Sequence, residues 1–151
     1  MLKKIVSGGQ TGADRAALDW AIAHKIPHGG WCPKGRKAED GIIPDRYHLR
    51  ETESEEYHQR TEQNVIDSDA TAIFSAKPEL TGGSKLTADF AATYGKPVIH
   101  IHPGLDGAAE MLARFISEHR IEILNIAGPR AFEESEIYRY VTTILNETIY
   151  H

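Results

Sequence analysis

Two short stretches carry residue types suited to holding an anion. SGGQTGADR (Ser7 to Arg15) sets Gly8, Gly9, Gln10, Thr11 and Gly12 between an apparent strand and an apparent helix. TGGSKLT puts Gly82, Gly83, Ser84 and Thr87 at the opening of another helix. A glycine-rich loop running into a helix N-terminus offers unpaired backbone N–H groups, a favourable dipole and close backbone approach to a ligand. Thr11, Ser84 and Thr87 add hydroxyls. Neither stretch is a Walker loop, because GK[ST] is missing, and GGxxG is not the GxGxxG dinucleotide fingerprint. Alone, either one reads equally well as a tight turn. Facing one crevice, the two predict a cradle for an anionic or nucleotide-like ligand.

Cationic and amide side chains cluster near these loops. CPKGR supplies Lys34 and Arg36 just after the second strand, where they either meet an anion or lie on a solvated loop. Arg60, Thr61 and Asn64 begin RTEQNVIDSD, a short helix on which Arg60 and Asn64 share one face. Arg15 follows Asp14, an acid favourable to a helix start, and either contacts ligand or pairs within the protein. GPR after the fifth strand, two positions from the expected switch point, shapes either the subunit interface or the rim of the site, with Arg130 its candidate anion contact. His100 and His102 share a strand face but lack a third metal ligand in reach, so they read as a packed or solvent-facing pair. Cys32 suits soft-metal contact in principle, and a small buried residue is the plainer account. No integral metal site is predicted.

Those residues need elements to position them. KKIV (Lys3 to Val6) is a strand, and Thr11 to Lys25 a helix stopped by Pro27. IPHGGWCP is a short second strand or turn. Thr71 to Ala76 is a buried strand, LTADFAATYG a helix closed by Gly95, and Pro97 to His102 a strand. AAEMLARFISEHR is an amphipathic helix, IEILNIAG a fifth strand, and Ser135 to Tyr150 a closing helix. Alternating helices and continuous apolar strands predict an α/β, Rossmann-like three-layer sandwich with a parallel, five-stranded sheet. A common order for this count is 2-1-3-4-5, which puts the topological switch point, and hence both glycine loops, between the first and third strands. The segment from Cys32 to Val65 is too long for an ordinary connection and predicts a lid or binding loop, or else a solvated segment. Its acidic run Glu51 to Glu56 reads as solvated surface.

Composition sets the outer limits. The 151 residues, 40% hydrophobic and 26% charged, fit one globular domain spanning 1–151. No apolar run approaches the roughly 20 residues of a membrane span, and LKKIV is too short for a signal peptide. One cysteine fits a reducing, cytoplasmic setting. A net charge of −5 argues against nucleic-acid binding while leaving room for a local anion pocket.

SGGQTGADRAALDWA, GGWCPKGRKAEDG, IPDRY, RTEQNV, DSDAT, TGGSKLT, KPV and LNIAGPR occur in an order that closely resembles the molybdenum cofactor carrier proteins. These belong to the Rossmann-like superfamily that includes the LOG-type, lysine-decarboxylase-like proteins. The resemblance implies a phosphorylated, nucleotide-like or pterin-like ligand, with molybdenum cofactor (molybdopterin) as cargo, and self-association as dimers or tetramers. It implies ligand-facing roles for SGGQTGADR, CPKGR, RT..NV and TGGS. LOG-type phosphoribohydrolases carry PGGxGTxxE, whose glutamate assists N-glycosidic cleavage. Here the stretch is TGGSKLTAD, with Lys85 for glycine, Leu86 for threonine and Asp89 for the glutamate. The aspartate is one methylene shorter, and errors near an ångström can cost about 100-fold in rate. Two functions therefore stand. A carrier without chemistry leads. The alternative is a nucleoside-monophosphate hydrolase using Asp89 and an arginine. A nucleotide sensor is a third reading not separable from the carrier by sequence.

Overall fold

The computed structural model describes residues 2–149. The elements are β1 (Lys4–Val6), α1 (Ala13–Ala23), β2 (His28–Gly29), β3 (Trp31–Cys32), β4 (Lys37–Ala38), β5 (Gly41–Ile42) and β6 (Arg50–Glu51). They continue with α2 (Tyr57–Ile66), β7 (Ala70–Phe74), α3 (Gly82–Thr93), β8 (Val98–Ile101), α4 (Ala108–Glu118), β9 (Ile123–Ala127) and α5 (Ile137–Ile149). The expected closing helix reached Tyr150, which lies outside the described residues. No helix among those residues is long and apolar enough to cross a membrane.

Five strands pair in parallel as β2-β1-β9-β7-β8. The central strands are buried on both faces: all of β7 is buried, and Leu124 and Ile126 of β9 are almost completely so. α5 packs against both α1 and α4, and α2 against α3, giving a three-layer α/β sandwich. The larger core joins the sheet to Trp20 and Ala17 of α1, Leu112 and Phe115 of α4, and Val141 and Leu145 of α5.

The strand order corrects one expectation. Counting only main-sheet strands along the chain, it is 2-1-5-3-4, not 2-1-3-4-5. The last strand, β9, is inserted between the first and third, with Ile5 beside Leu124 and Ala72 beside Ile126. Counted from β9, the same sheet reads 3-2-1-4-5, the opening of the order found in dinucleotide-binding folds. The switch point therefore lies between β9 and β7. The loop after β1 opens one strand away from it.

The long segment before α2 is an ordered insert with its own small core. β3 pairs with β6 in parallel and β4 with β5 as an antiparallel hairpin. Leu18 of α1, Cys32, Ala38, Ile43 and Tyr47 bury one another, with Leu49 packed against them. Asp19 of α1 adds a polar anchor, accepting from Tyr47 Oη at 2.6 Å and Tyr138 Oη at 2.5 Å. IPHGGWCP thus supplies two strands in two different sheets, β2 and β3.

Candidate functional site

A cleft of about 340 Å³ opens beyond the carboxyl ends of β7 and β9. Its floor is Ser75 and Ala127-Gly128. One wall is the start of α3, with Thr81, Gly83, Ser84 and Thr87, and the other holds Tyr57, Arg60 and Thr61 of α2 with Asp14 below. Arg130, Glu133 and Glu134 border it after β9, and Lys77 and Glu79 after β7. Binding clefts of open α/β sheets occur at this place in the topology.

The α3 wall has the features of an anion seat. Thr81 precedes the helix in an extended conformation without a side-chain cap, so the first-turn N–H groups lack a side-chain acceptor. A Cβ at Gly82 or Gly83 would meet no atom within 4 Å. Ser84 is half-buried at the rim, and Thr87 donates to the Gly83 carbonyl at 2.9 Å.

The opposite wall is cationic and aromatic. Arg130 lies 5.2 Å from the Tyr57 ring centroid and 4.9 Å from that of Phe132. Arg60 sits 5.6 Å from Tyr57 on its side and pairs with Asp14 at 3.3 Å. Aromatic faces attract guanidinium groups and fix their plane. Asp14 is buried, and burial pushes its carboxyl pKa up against the pull of Arg60. It also accepts from Gln10 N at 3.2 Å, so it ties the first glycine loop to the cleft floor. Arg60 Nε is buried with no hydrogen-bond partner. At the floor, Ser75 Oγ donates to the Lys77 carbonyl at 2.7 Å and lies 2.6 Å from His100 Nε2. Burial, with His102 beside it, lowers the His100 pKa.

The sequence-predicted residues divide into three groups. Arg60, Thr61, Gly83, Ser84, Thr87 and Arg130 line the cleft together, with Gly82 at its mouth. Gly8 and Asn64 line a small recess that shares Arg60, Thr61 and Thr87 with it. Asn64 spends its amide on the Trp31 backbone, accepting at 2.8 Å and donating at 3.0 Å. Gly9, Gln10, Thr11, Gly12, Arg15, Lys34 and Arg36 lie off the cleft. The displaced switch point accounts for this separation.

All of the third group except Lys34 is engaged by the protein itself. A Cβ at Gly9 would lie 2.5 Å from Leu49 Cδ1 of the insert. Gln10 is buried and donates to the Lys37 carbonyl at 2.9 Å. Thr11 donates to Glu39 and accepts from Ala131 N at 3.1 Å. At Gly12 a Cβ would fall 2.5 Å from the Pro129 carbonyl oxygen, which already takes the Ala13 N–H at 3.2 Å. Arg15 forks onto Asp40 at 2.9 and 3.0 Å, holding that carboxyl below its usual range, and donates to the Gly9 carbonyl at 2.7 Å. Arg36 donates to the Ile43, Pro44 and Tyr47 carbonyls at 2.8 to 3.0 Å. Lys34 is exposed on the insert.

Two further readings meet the geometry. Asp89 pairs with Lys85 at 3.2 Å on an exposed face of α3 and is not among the cleft's lining. Cys32 is wholly buried in the insert core, which pushes its thiol pKa up. Sequence reasoning missed Tyr57, Ser75, Lys77, Glu79, Glu133 and Glu134, whereas Thr81 belongs to the TGGS stretch whose ligand-facing role the resemblance implied. Tyr57 carried a signal, since α2 begins three residues before the expected Arg60.

The parallel order and the cleft beside its out-of-sequence central strand define a Rossmann-like α/β protein whose chain order is permuted relative to its sheet order. The chain belongs to the circularly permutated YpsA SLOG family, whose model matches residues 5–149. It is also similar to a crystal structure from Syntrophus aciditrophicus SB, of a protein provisionally named a molybdenum carrier. The two share 50% identity and a TM-score of 0.92 over 98% of this chain and 95% of that one. No curated protein matches significantly. These matches bear out the family resemblance read from SGGQTGADR through GPR.

Proposed function

We propose that the chain is a carrier that holds an anionic, phosphate-bearing pterin- or nucleotide-like ligand in the β7–β9 cleft. The observation that carries this reading is that the uncapped start of α3 and Arg130 line the same cleft. Backbone amides at a helix start and a guanidinium in a fixed plane recognise the same oxyanion from two sides. Gly82, Gly83, Ser84, Thr87, Arg130, Arg60 and Thr61 make the contacts. Gly8 and Asn64 support them from the recess, and Gly9, Gln10, Thr11, Gly12, Arg15 and Arg36 hold the insert and the first loop in place.

The name of the Syntrophus protein and the family resemblance make molybdenum cofactor the cargo of this reading. The cleft fits the anionic end of such a cargo. The chain's one thiol, Cys32, is buried in the insert and not among the cleft's lining, so it is not placed to ligate a metal carried by the cargo. Self-association belongs to the same reading: the edge strand β8 leaves Val98 41% exposed, with Tyr94 and Ile66 also partly exposed. A cytoplasmic setting agrees with a reduced cysteine.

Hydrolysis of an N-glycosidic bond finds less support, because Asp89 stands outside the cleft. Native mass spectrometry of the protein as isolated tests both ligand and oligomer. The carrier reading expects a retained anionic species and no base released from nucleoside monophosphates. Base release abolished by Asp89→Asn would overturn it.

A further inference from the structure

Arg130 at the cleft and the Ala76 N–H between the lining residues Ser75 and Lys77 already hold carboxylates, and both carboxylates belong to one short segment of the chain. Glu133 Oε1 accepts from Arg130 Nε at 3.1 Å and from the Arg130 backbone N–H at 3.2 Å. Glu134 Oε1 accepts from the Ala76 backbone N–H at 2.7 Å, spanning from the segment after β9 to the end of β7. Both acids line the cleft. They are not gathered to hold a cation, since no group of three or more metal-ligating side chains occurs among the described residues.

A charge-assisted bond from a backbone N–H or guanidinium to a carboxylate uses the same donor geometry as one to a phosphate oxygen. Like charges in a partly enclosed cleft repel, at a cost that grows as water is excluded. From this we infer that Glu133 and Glu134 are internal stand-ins for the ligand's anionic groups. An incoming phosphate competes with them for Arg130 and the Ala76 N–H, so loading is coupled to an outward shift of the 131–136 segment. The inference rests on the carrier reading's anion seat and adds how that seat is gated. It assigns the ligand to anions of at least two charges, because a monoanion would replace one carboxylate and leave the other as a repelling neighbour.

The test titrates inorganic phosphate and adenosine monophosphate, with adenosine as the neutral probe, into the full chain by calorimetry at low ionic strength. The proteins are wild type, E133Q/E134Q and the charge-matched surface control E110Q/E118Q on α4. Thermal melts accompany each titration. The expected result is that E133Q/E134Q binds both anions about tenfold more tightly or better than wild type, which is about 1.4 kcal/mol. The control and the adenosine titration should show no such gain. If wild type binds the anions and E133Q/E134Q binds them equally or less tightly, the stand-in role is overturned while the anion seat survives. An equal gain in the control also overturns it, because general charge then explains the effect. If no protein binds either anion, the carrier reading's anion seat falls and the stand-in role with it. Should the double variant melt early, E134Q alone carries the test with the same outcomes, since Glu134 bridges to β7 through a single bond.

Discussion

The two glycine-rich loops look nearly interchangeable as sequence and have opposite surroundings in the fold. In GGQTG the glycines make room for other parts of the protein: Gly9 for Leu49 and Ile43 of the insert, Gly12 for the Pro129 carbonyl. Both need a positive φ, 76° and 83°, which side chains with a Cβ rarely adopt. The loop's N–H groups are also answered from within, by Ser7 Oγ at Gly9 and by Asp14 at Gln10. In TGGS, Gly82 and Gly83 face open space and the helix start has no side-chain cap. A glycine-rich strand–helix loop therefore stays open at its glycines only where they face free space rather than a neighbouring backbone.

The largest expected effect breaks the first loop. Gly12→Val combines a disfavoured φ with a backbone clash that no flexible side chain can relieve, and should cost about 3 kcal/mol or more, read as a lower urea midpoint. Gly9→Val meets side chains instead of backbone and should cost roughly 2 kcal/mol, with early proteolysis inside the insert (residues 32–56). An unchanged midpoint in both would place the first loop among the ligand-facing parts after all.

The second loop should respond in the opposite sense. Gly83→Val in that loop and Arg130→Ala in the same cleft are expected to leave the unfolding free energy from urea titration within about 0.5–1 kcal/mol of wild type. Each should weaken binding of adenosine monophosphate by about tenfold or more, the loss of one charge-assisted contact or the filling of its seat. Stability loss without binding loss would erase the contrast between the loops.

The fold class, most of the elements and the cleft-lining residues of α3 were legible because apolar periodicity and glycine placement are local properties of the chain. The pairing of strands is not local. Nothing in IEILNIAG tells that it slots between KKIV and TAIFSA, and that one fact moved the switch point away from GGQTG and onto GPR. Arg130 consequently gained a central position, while Arg36 and Arg15 became struts of the insert. The insert itself was hidden for a related reason: strands of two residues are too short to leave a period. Glu133 and Glu134 carry no signal in the sequence, because only the fold brings the Ala76 N–H beside Glu134.

A smaller effect reports on the cleft floor. His100 has its pKa lowered by burial and then by His102, so the unfolded chain takes up the proton first as pH falls. Stability contributed by neutral His100 is present above the ordinary histidine pKa of about 6.5 and is lost as pH drops below it toward the lowered value. The melting temperature should fall from pH 7 to below pH 6, and His100→Asn should flatten part of that slope. A slope unchanged by the substitution would remove His100 from the floor's hydrogen-bond chain to Ser75.

The most direct measurement is a titration of the full chain with adenosine monophosphate followed by backbone amide chemical shifts. The account predicts saturable shifts at Gly82, Gly83, Ser84 and Arg130, with Gly9, Gln10 and Gly12 nearly still. Saturable shifts concentrated at Gly9 to Gly12, with α3 and Arg130 unmoved, would contradict it.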